Sequence, residues 1–243
     1  LLRLCRRPGQ QLRRRAGALM TPGLSFVVPV LNEGDRVAAL LDRLRAQYPD
    51  AELVVVDGGS ADETVTNAMS RCDQLLLSAP GRARQMNLGG RVAAGDYLLF
   101  LHADTQPSIS SAALQARLQH RPDWGFSRVQ LSGGGMLRVV AWFMNQRSRL
   151  TRVATGDQML FVSRESFARS GGFADIPLME DVEYCKRLRR QSAPCILDAP
   201  VLTSSRRWDE HGLLRTVLAM WGLRLAYLLG VSPARLHRHY YGG

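Results

Sequence analysis

The sequence has little cysteine, a single lysine and no long uncharged hydrophobic run. Its 243 residues hold four cysteines and no CxxC pair, which argues against a disulfide-dense framework and favours a reducing, cytoplasmic compartment. Because no stretch of 18 residues is free of charged side chains, no membrane-spanning helix is predicted. The cysteines are Cys5, Cys72, Cys185 and Cys195.

The positive charge is unevenly distributed along the chain. The formal net charge is +11, Lys186 is the one lysine, and residues 1–19 hold six arginines and no acid. We expect residues 1–20 to be a basic, disordered arm, followed by a domain at 21–210 and a helical tail at 211–243. Nucleic-acid binding is not predicted, since charge alone supports it and no aromatic-basic motif accompanies that charge.

The tail contains the most apolar segment of the chain, LLRTVLAMWGLRLAYLLG at 213–230. Arg215 and Arg224 interrupt it nine positions apart, which places them on opposite sides of a helix that turns by ~100° per residue. The segment is therefore not a simple amphipathic stripe. Two interpretations stand: a helix packed on the domain, or a helix in peripheral contact with a membrane surface.

Apolar runs alternate with helical patterns through the first hundred residues. Each run is short and continuous, as expected for a strand that is buried on both faces. This alternation predicts an α/β fold with a mainly parallel central sheet flanked by helices. The predicted strands are 25–31, 52–57, 74–79 and 96–101, and Ser60 to Glu63 has the spacing of a capping box before the second helix.

Polar side chains lie at the ends of three of these strands. Asn32 and Glu33 follow the first strand, Asp57 ends the second, and His102 and Asp104 follow the fourth. Ligands bind at the carboxyl edge of open α/β sheets, so three such loops indicate a site. The alternative is that ordinary turns and caps need these residue types.

Several common sites are excluded by motifs that the sequence lacks. There is no GxGxxG in the first strand–helix turn, no GxxxxGK[ST], no GxSxG and no HExxH. A dinucleotide-binding Rossmann site and a P-loop are therefore not expected. Acid-rich loop ends are instead typical of a divalent metal held against phosphates by one or two carboxylates.

An ordered set of motifs resembles glycosyltransferase family 2 across residues 24–208: VVPVLNE, VVVDGGSADET, GRARQMNLG, GDYLLFLHADT, GGF and MED. The family consists of inverting sugar-nucleotide enzymes of the GT-A fold. The resemblance therefore implies a nucleoside diphosphate sugar donor and a hydroxyl acceptor, either small or lipid-linked. The variants GRARQMN, ATGDQ, IPLMED, SSRRW and MWGLRLAYLLG further resemble a bacterial subgroup labelled as arsenosugar-biosynthesis glycosyltransferases.

The resemblance implies a nucleotide pocket in the first loops. Asp57 is the acid expected to contact the nucleoside. Arg84 is expected to neutralise phosphate or hold the base, and its alternative is a place on a solvated helix face. The other residues expected to line this pocket are Pro29, Asn32, Glu33, Gly58 and Gly59.

The resemblance also implies a metal, Mg²⁺ or Mn²⁺, that bridges the donor diphosphate. Where many members carry DxD, this chain has His102-Ala103-Asp104. Asp104 is therefore the expected metal ligand, and His102 is a softer candidate ligand that shifts the preference toward Mn²⁺. His211 is a further candidate ligand, with a structural role as its alternative.

A general base is expected in the segment PLMEDVEYCKRLRR at 177–190. The resemblance assigns that role to Asp181 and leaves Glu180 with orientation or acceptor hydrogen bonding. The alternative is an ordinary helix start, because acids near a helix N-terminus are stabilised by roughly 0.3–1 kcal/mol each.

The acceptor side is expected to involve Asp157 and Trp208, whose alternatives are the start of a strand and simple packing. Arg207 is expected near the leaving diphosphate. SSRRW lacks the glutamine of the QxxRW motif of processive members, which argues against a polymer synthase. The segment MLRVVAWFMNQRSRLTRV at 136–153 is interpreted either as a mobile helix over the acceptor or as a packed core helix.

Two other functions compete with sugar transfer. A sugar-phosphate nucleotidylyltransferase has a related architecture but needs a Gly-rich, basic loop after the first strand, where this chain has NEGDRV. A non-catalytic binding protein or membrane-associated partner on the same scaffold is the third interpretation, which the altered HAD motif keeps open. Metal-dependent nucleotide binding would argue against it.

Overall fold

Strands and helices alternate along the chain in the computed structural model, which describes residues 2–6, 21–204 and 213–241 and the side chains of 21–204 and 216–240. The strands are β1 Leu2–Arg6, β2 Leu24–Val30, β3 Glu52–Asp57, β4 Gln74–Leu77, β5 Tyr97–Phe100, β6 Thr105–Pro107, β7 Trp124–Leu131, β8 Leu160–Ser163 and β9 Cys195–Thr203. The helices are α1 Gly34–Gln47, α2 Thr64–Met69, α3 Arg82–Val92, α4 Ser111–Leu118, α5 Met136–Thr151, α6 Arg164–Ser170, α7 Glu180–Leu188, α8 Leu213–Leu228 and α9 Pro233–Tyr241. A 3-10 turn at Gly156–Gln158 precedes β8.

The nine strands of the described residues form one sheet in the order β1-β4-β3-β2-β5-β8-β7-β9-β6. The run β4-β3-β2-β5 is parallel throughout. Beyond it, β8 is antiparallel to both β5 and β7, β9 is parallel to β7, and β6 is antiparallel to β9. The predicted α/β fold is confirmed, but the described sheet is mixed: four of its eight strand pairings are parallel and four are antiparallel.

The strands of the parallel half are buried on both faces because helices cover each side. Along β2, Phe26 and Val28 pack in the cluster that includes the apolar side of α1, and Val27 packs in the cluster that includes α3. At Gly89 of α3, an added Cβ would lie 2.4 Å from Val27 Cγ1. This close approach of helix and sheet explains why glycine stands there, and the burial on both sides explains the continuous apolar runs.

Two local predictions are wrong. Within the arm that was expected to be disordered, Leu2–Arg6 forms β1 and pairs antiparallel with β4, which covers the backbone N–H and C=O groups of an edge that would otherwise be open. The predicted capping box does not form, because the Ser60 hydroxyl bonds Asp57. Asp62 Oδ1 instead accepts the Thr64 N–H at 3.0 Å, and α2 begins at Thr64.

The helices predicted after residue 210 are α8 and α9. Leu223 of α8 and Leu236 of α9 are buried, and Val217 and Met220 of α8 pack against Val129 and its neighbours in one cluster. Over the part of the chain that is described, no helix is both long and apolar enough to cross a bilayer. Helix α8 is therefore packed on the domain, as one of the two interpretations of its sequence expected.

Candidate active site

A cleft of about 1090 Å³ lies at the carboxyl edge of the parallel strands. Ligand sites for small molecules commonly enclose about 300–1,000 Å³, so its size suits a nucleotide with a sugar attached. The predicted residues in its wall are Pro29, Glu33, Arg84, His102, Asp104, Asp157, Glu180 and Asp181. Asn32, Asp57, Gly58 and Gly59 are not among the lining residues.

Asp57 and Asn32 shape the loops behind this wall. The Asp57 side chain is almost fully buried, and its Oδ2 accepts the N–H groups of Gly59 at 2.9 Å and Ser60 at 3.0 Å. Asn32 has a positive φ of 54°, and its Oδ1 accepts the Ala61 N–H at 2.9 Å. Asn32 therefore ties the loop after β2 to the loop after β3, and Asp57 fixes the turn of its own loop, since asparagine tolerates the left-handed region and aspartate favours such turns.

Pro29 opens the edge of β2 toward the cleft. The Val30 carbonyl accepts the Gly58 N–H on the β3 side, and the Val27 carbonyl accepts the Leu101 N–H on the β5 side. Backbone groups alternate sides along a strand, so the position of Pro29 faces the same side as Val27, beyond the last β5 pairing. Proline has no backbone N–H to donate. At this position none is needed, because the pairing with β5 has already ended.

Arginines at the starts of α1 and α3 form a basic rim on the cleft. Arg84 Nε lies 2.9 Å from Asp175 Oδ1, with both side chains more than half exposed. Arg36 Nη1 lies 2.5 Å from Glu33 Oε2, and Arg82 also lines the cleft. An exposed ion pair such as Arg84–Asp175 is worth about 0–1 kcal/mol, so an anionic ligand can replace Asp175 at little cost. Sequence reasoning found Arg84 but missed the other two arginines.

Asp104 offers a carboxylate to a divalent metal. It is half-buried in the cleft wall, and its Oδ1 accepts the Thr105 hydroxyl at 3.2 Å. Within the described ranges, no three His, Cys, Asp or Glu side chains gather into a metal cage. Because Mg²⁺ is typically bound through one or two carboxylates plus substrate phosphates, this donor set fits a metal that is completed by the ligand diphosphate.

His102 lies against Gly156 as well as in the cleft. An added Cβ at Gly156 would be only 2.5 Å from His102 Nε2, so the imidazole occupies the space that a side chain at 156 would take. The Gly156 N–H in turn donates to Asp181 Oδ2 at 2.7 Å. His102 therefore packs beside the backbone that holds Asp181, in addition to the metal-ligand role predicted for it.

Asp181 sits at the second position of α7 with both carboxylate oxygens bonded. Its Oδ2 accepts from Gly156, and its Oδ1 accepts the Val182 N–H at 2.6 Å. Met179, just before the helix, has a positive φ of 68°, an uncommon backbone state for a side chain of this size that is frequent near functional sites. A carboxylate has about four lone-pair sites, so Asp181 keeps capacity to accept a proton from a ligand in the cleft.

Glu180 is the buried member of the pair, with 6% of its surface exposed. It also borders a small cavity of about 20 Å³ lined by side chains that include Met86, Phe100 and Phe173. Burial, and after it the charge of Asp181, raises the pKa of Glu180 to about 7, while Arg82 opposes the shift. Near neutral pH a large fraction of Glu180 therefore carries a proton and can donate a hydrogen bond.

Replacing Glu180 with glutamine is expected to flatten the pH dependence of stability. Since the folded pKa is raised from 4.5 to about 7, the stabilising contribution of the protonated form is complete below pH 4.5 and is lost as the pH rises to about 7. Across this range the free energy of unfolding of the wild type should fall by on the order of 2–3 kcal/mol relative to Glu180→Gln.

Urea denaturation at several pH values measures this difference. Glu165→Gln is the matched control, because Glu165 is 86% exposed and its substitution should leave the wild-type slope unchanged. Equal slopes for wild type and Glu180→Gln would show that Glu180 titrates normally.

Helix α8 adds a residue that sequence reasoning missed. Arg224 lines the cleft; burial lowers its pKa, and the negative charges of Asp181 and Asp157 act in the opposite direction. Arg147 of α5 lies nearby, and its pKa falls to about 10 through burial and the positive charge of Arg224. The sequence did contain a signal for Arg224, because it interrupts the apolar segment 213–230. An arginine buried in such a helix usually has a charged partner.

The remaining predicted residues, Arg207, Trp208 and His211, lie outside the described residues. Their roles stay predictions.

Comparison with known proteins shows that residues 25–123 match glycosyl transferase family 2. An uncharacterized glycosyltransferase of Haemophilus influenzae is 24% identical over 184 residues, which cover 69% of this chain and 62% of that protein. The PGL/p-HBAD biosynthesis glycosyltransferase of Mycobacterium bovis is 38% identical over 117 residues, which cover 43% of this chain and 45% of that protein. The chain thus spans about half to three-fifths of the length of these relatives.

A solved structure extends the similarity to most of the fold. Glucosyl-3-phosphoglycerate synthase from Mycobacterium tuberculosis, in complex with Mg²⁺ and UDP, superposes with a TM-score of 0.59 at 19% identity, over 88% of this chain and 83% of that chain. Similarity at this identity shows a shared fold. Residues 25–123 therefore resemble glycosyl transferase family 2, and the relatives that the chain matches are named glycosyltransferases.

Proposed function

We propose that the chain is an inverting glycosyltransferase that moves one sugar from a nucleoside diphosphate sugar to a hydroxyl of a small or lipid-linked acceptor. The proposal rests on the Asp181 carboxylate, which lies in the wall of a cleft that also contains Asp104 and a rim of arginines. The family match and the UDP complex of the structural relative support the class of donor.

The donor diphosphate is assigned to the basic rim. Arg82 and Arg84, at the start of α3, line the cleft, and a phosphate oxygen can replace Asp175 as the partner of Arg84. Asp104 would hold the Mg²⁺ or Mn²⁺, which would supply positive charge to the departing diphosphate. Asp57 supports this region indirectly, because it fixes the loop behind the cleft.

Asp181 is the proposed general base. One of its oxygens accepts the proton of the acceptor hydroxyl while the acceptor oxygen bonds to the anomeric carbon. The bond from that carbon to the diphosphate breaks on the opposite face, and the configuration inverts. Glu180, protonated in part near neutral pH, donates a hydrogen bond to the acceptor, and Asp157 with Arg224 bounds the acceptor side of the cleft.

The resemblance to the arsenosugar-biosynthesis subgroup bears on the acceptor. It rests on short motifs that include ATGDQ and IPLMED. These two motifs contain Asp157 and Asp181, which line the cleft. The arsenosugar-biosynthesis label stays a prediction. Incubation of the chain with sugar nucleotides and candidate hydroxyl acceptors, followed by mass spectrometry of the products, tests it.

Donor binding is expected to be metal-dependent. A nucleoside diphosphate that binds only the folded chain raises its apparent stability, by about 2.7 kcal/mol at a hundred times the dissociation constant. We expect UDP or GDP to raise the melting temperature with Mn²⁺ or Mg²⁺ present and to raise it much less with EDTA. A thermal-shift panel of nucleoside diphosphates and sugar nucleotides measures this response.

Asp104→Asn should remove most of the metal-dependent part of the shift. Asp198→Asn is the control, since Asp198 is an exposed carboxylate on β9 outside the cleft wall. If no nucleotide stabilises the chain with Mn²⁺, Mg²⁺ or EDTA present, the proposed function fails. The interpretation of the chain as a non-catalytic protein on the same scaffold is then favoured.

A further inference from the structure

Helices α5 and α8 expose an unusual number of large apolar side chains. Ten of the thirteen exposed large hydrophobic residues in the described part of the chain lie on these two helices or at the end of α8. We call them the outer stripes. They are Met136, Val139, Trp142, Phe143 and Leu150 on α5, and Leu218, Trp221, Leu225, Leu228 and Leu229 on α8.

The outer stripe of α8 follows helical spacing. Leu218, Trp221, Leu225 and Leu228 recur at intervals of three or four and are 58–67% exposed. The opposite face carries Thr216, Val217, Met220, Leu223 and Arg224, which point into the domain or the cleft. The helix therefore has two different apolar faces. The inner face packs on the domain, and the outer face exposes large apolar side chains to water, which costs free energy.

The two helices belong to one part of the molecule. Leu137 and Val140 of α5 join Val217 and Met220 of α8 around the same buried cluster. The exposed residues of α5 also recur along one side, from Met136 through Val139 and Phe143 to Leu150. Exposed apolar area of this extent, rimmed by polar residues, typically marks an interaction site.

The charges within the two segments that carry the outer stripes have a single sign. Residues 131–152 contain four arginines and no Asp or Glu, and residues 211–243 contain four arginines, three histidines and no Asp or Glu. Among the described arginines of these segments, Arg138, Arg149, Arg152, Arg235 and Arg238 are exposed. The two segments therefore combine tryptophan, phenylalanine and leucine with positive charge and carry no acid of their own.

We propose that the outer stripes bind the surface of an anionic phospholipid bilayer. Tryptophan and leucine insert at the boundary of headgroups and acyl chains, and arginines near the surface are attracted to anionic headgroups. A second copy of this chain would bring its own arginines to the contact, so the charge argues against self-association. The bilayer would be a partner for the sugar transfer proposed above, on which its role rests. Vesicle binding itself does not depend on catalysis.

The placement of α8 connects this surface to the cleft. Its inner face contributes Leu223 and Arg224 to the cleft wall, while Trp221 and Leu225 lie on the other side of the same helix. A bilayer held at the outer stripes would therefore lie one helix diameter, about 10 Å, from the cleft. This arrangement favours a lipid-linked acceptor over one that diffuses freely.

Vesicle flotation of the full chain tests the proposal. Wild type should float with vesicles of phosphatidylcholine and phosphatidylglycerol and remain behind with phosphatidylcholine alone. Trp221→Ala/Leu225→Ala should reduce partitioning into the vesicles by at least about tenfold. The double variant loses apolar area that inserts into the bilayer, and it keeps every charge. Met69→Ala is the matched control, because Met69 is an exposed apolar side chain on α2, away from both helices.

Circular dichroism establishes that each variant is folded. Undiminished flotation of folded Trp221→Ala/Leu225→Ala would assign binding to the arginines alone and overturn the proposal. A dimer in light scattering that the double variant loses, without vesicle binding by wild type, would assign the surface to a second copy and overturn it as well. Asp181→Asn should float like wild type, so a failure of the catalytic proposal remains distinguishable.

Discussion

Asp181→Asn is expected to reduce sugar transfer by ~10²- to 10⁴-fold, the usual contribution of a positioned general base. Asparagine matches aspartate in size and its amide oxygen can still accept the Gly156 N–H, but it cannot take up the acceptor proton. Donor binding should stay nearly intact, because the arginine rim and Asp104 are untouched. Initial rates of transfer and nucleotide-induced thermal shifts measure the two quantities separately.

Asp42→Asn is the control for this experiment, since Asp42 is an exposed carboxylate on α1 that pairs with Arg71. Turnover of Asp181→Asn equal to wild type would remove Asp181 from the role of base. A comparable loss in Glu180→Gln, with Asp181→Asn little affected, would exchange the roles of the two carboxylates. Loss of nucleotide binding in Asp181→Asn would instead indicate damage to the cleft.

Gly125→Ala is expected to lower the free energy of unfolding by roughly 3 kcal/mol or more, at the upper end of what overpacking costs. Gly125 lies in β7 between β8 and β9. An added Cβ would lie 2.0 Å from the Cys195 carbonyl oxygen and 2.3 Å from the Phe161 ring. The carbonyl belongs to the backbone of a neighbouring strand, so it cannot move without disturbing the sheet.

Gly134→Ala is the matched control, because an added Cβ there meets no atom within 4 Å. Urea denaturation of both variants gives the change in stability from the midpoint and the slope. A shift in Gly125→Ala as small as that in Gly134→Ala would show that the sheet adjusts freely at this position.

The parallel half of the fold could be predicted because its strands carry a simple signal. Strands buried on both faces are continuous apolar runs, and 52–57 coincides with β3 as observed. The second half was harder. In β7 the exposed Arg128 and Gln130 alternate with buried residues, and strand direction in a mixed sheet depends on contacts between segments distant in sequence, which local periodicity does not encode.

The candidate site was predictable to the level of loops, not of side-chain orientation. Strand order brings the ends of β2, β5 and the start of α7 to one cleft, so Asp104 and Asp181 share its wall as expected. Asp57 belongs to the same edge, but its carboxylate turns into its own loop, where Gly59 has a φ of 97°. Arg224 was missed because it reaches the cleft from a helix more than forty residues after Asp181 in the sequence.

The two faces of α8 have a practical consequence for anyone who handles this protein. Exposed Trp221 and Leu225 would favour aggregation in the absence of lipid, and removing the tail is the obvious remedy. Leu223 and Arg224 line the cleft from the same helix. A chain without this helix would therefore lose part of the cleft wall together with the outer stripe of α8. Solubility and activity can be separated only by substitutions on the outer stripe, such as Leu225→Gln, which leave the inward-facing residues in place.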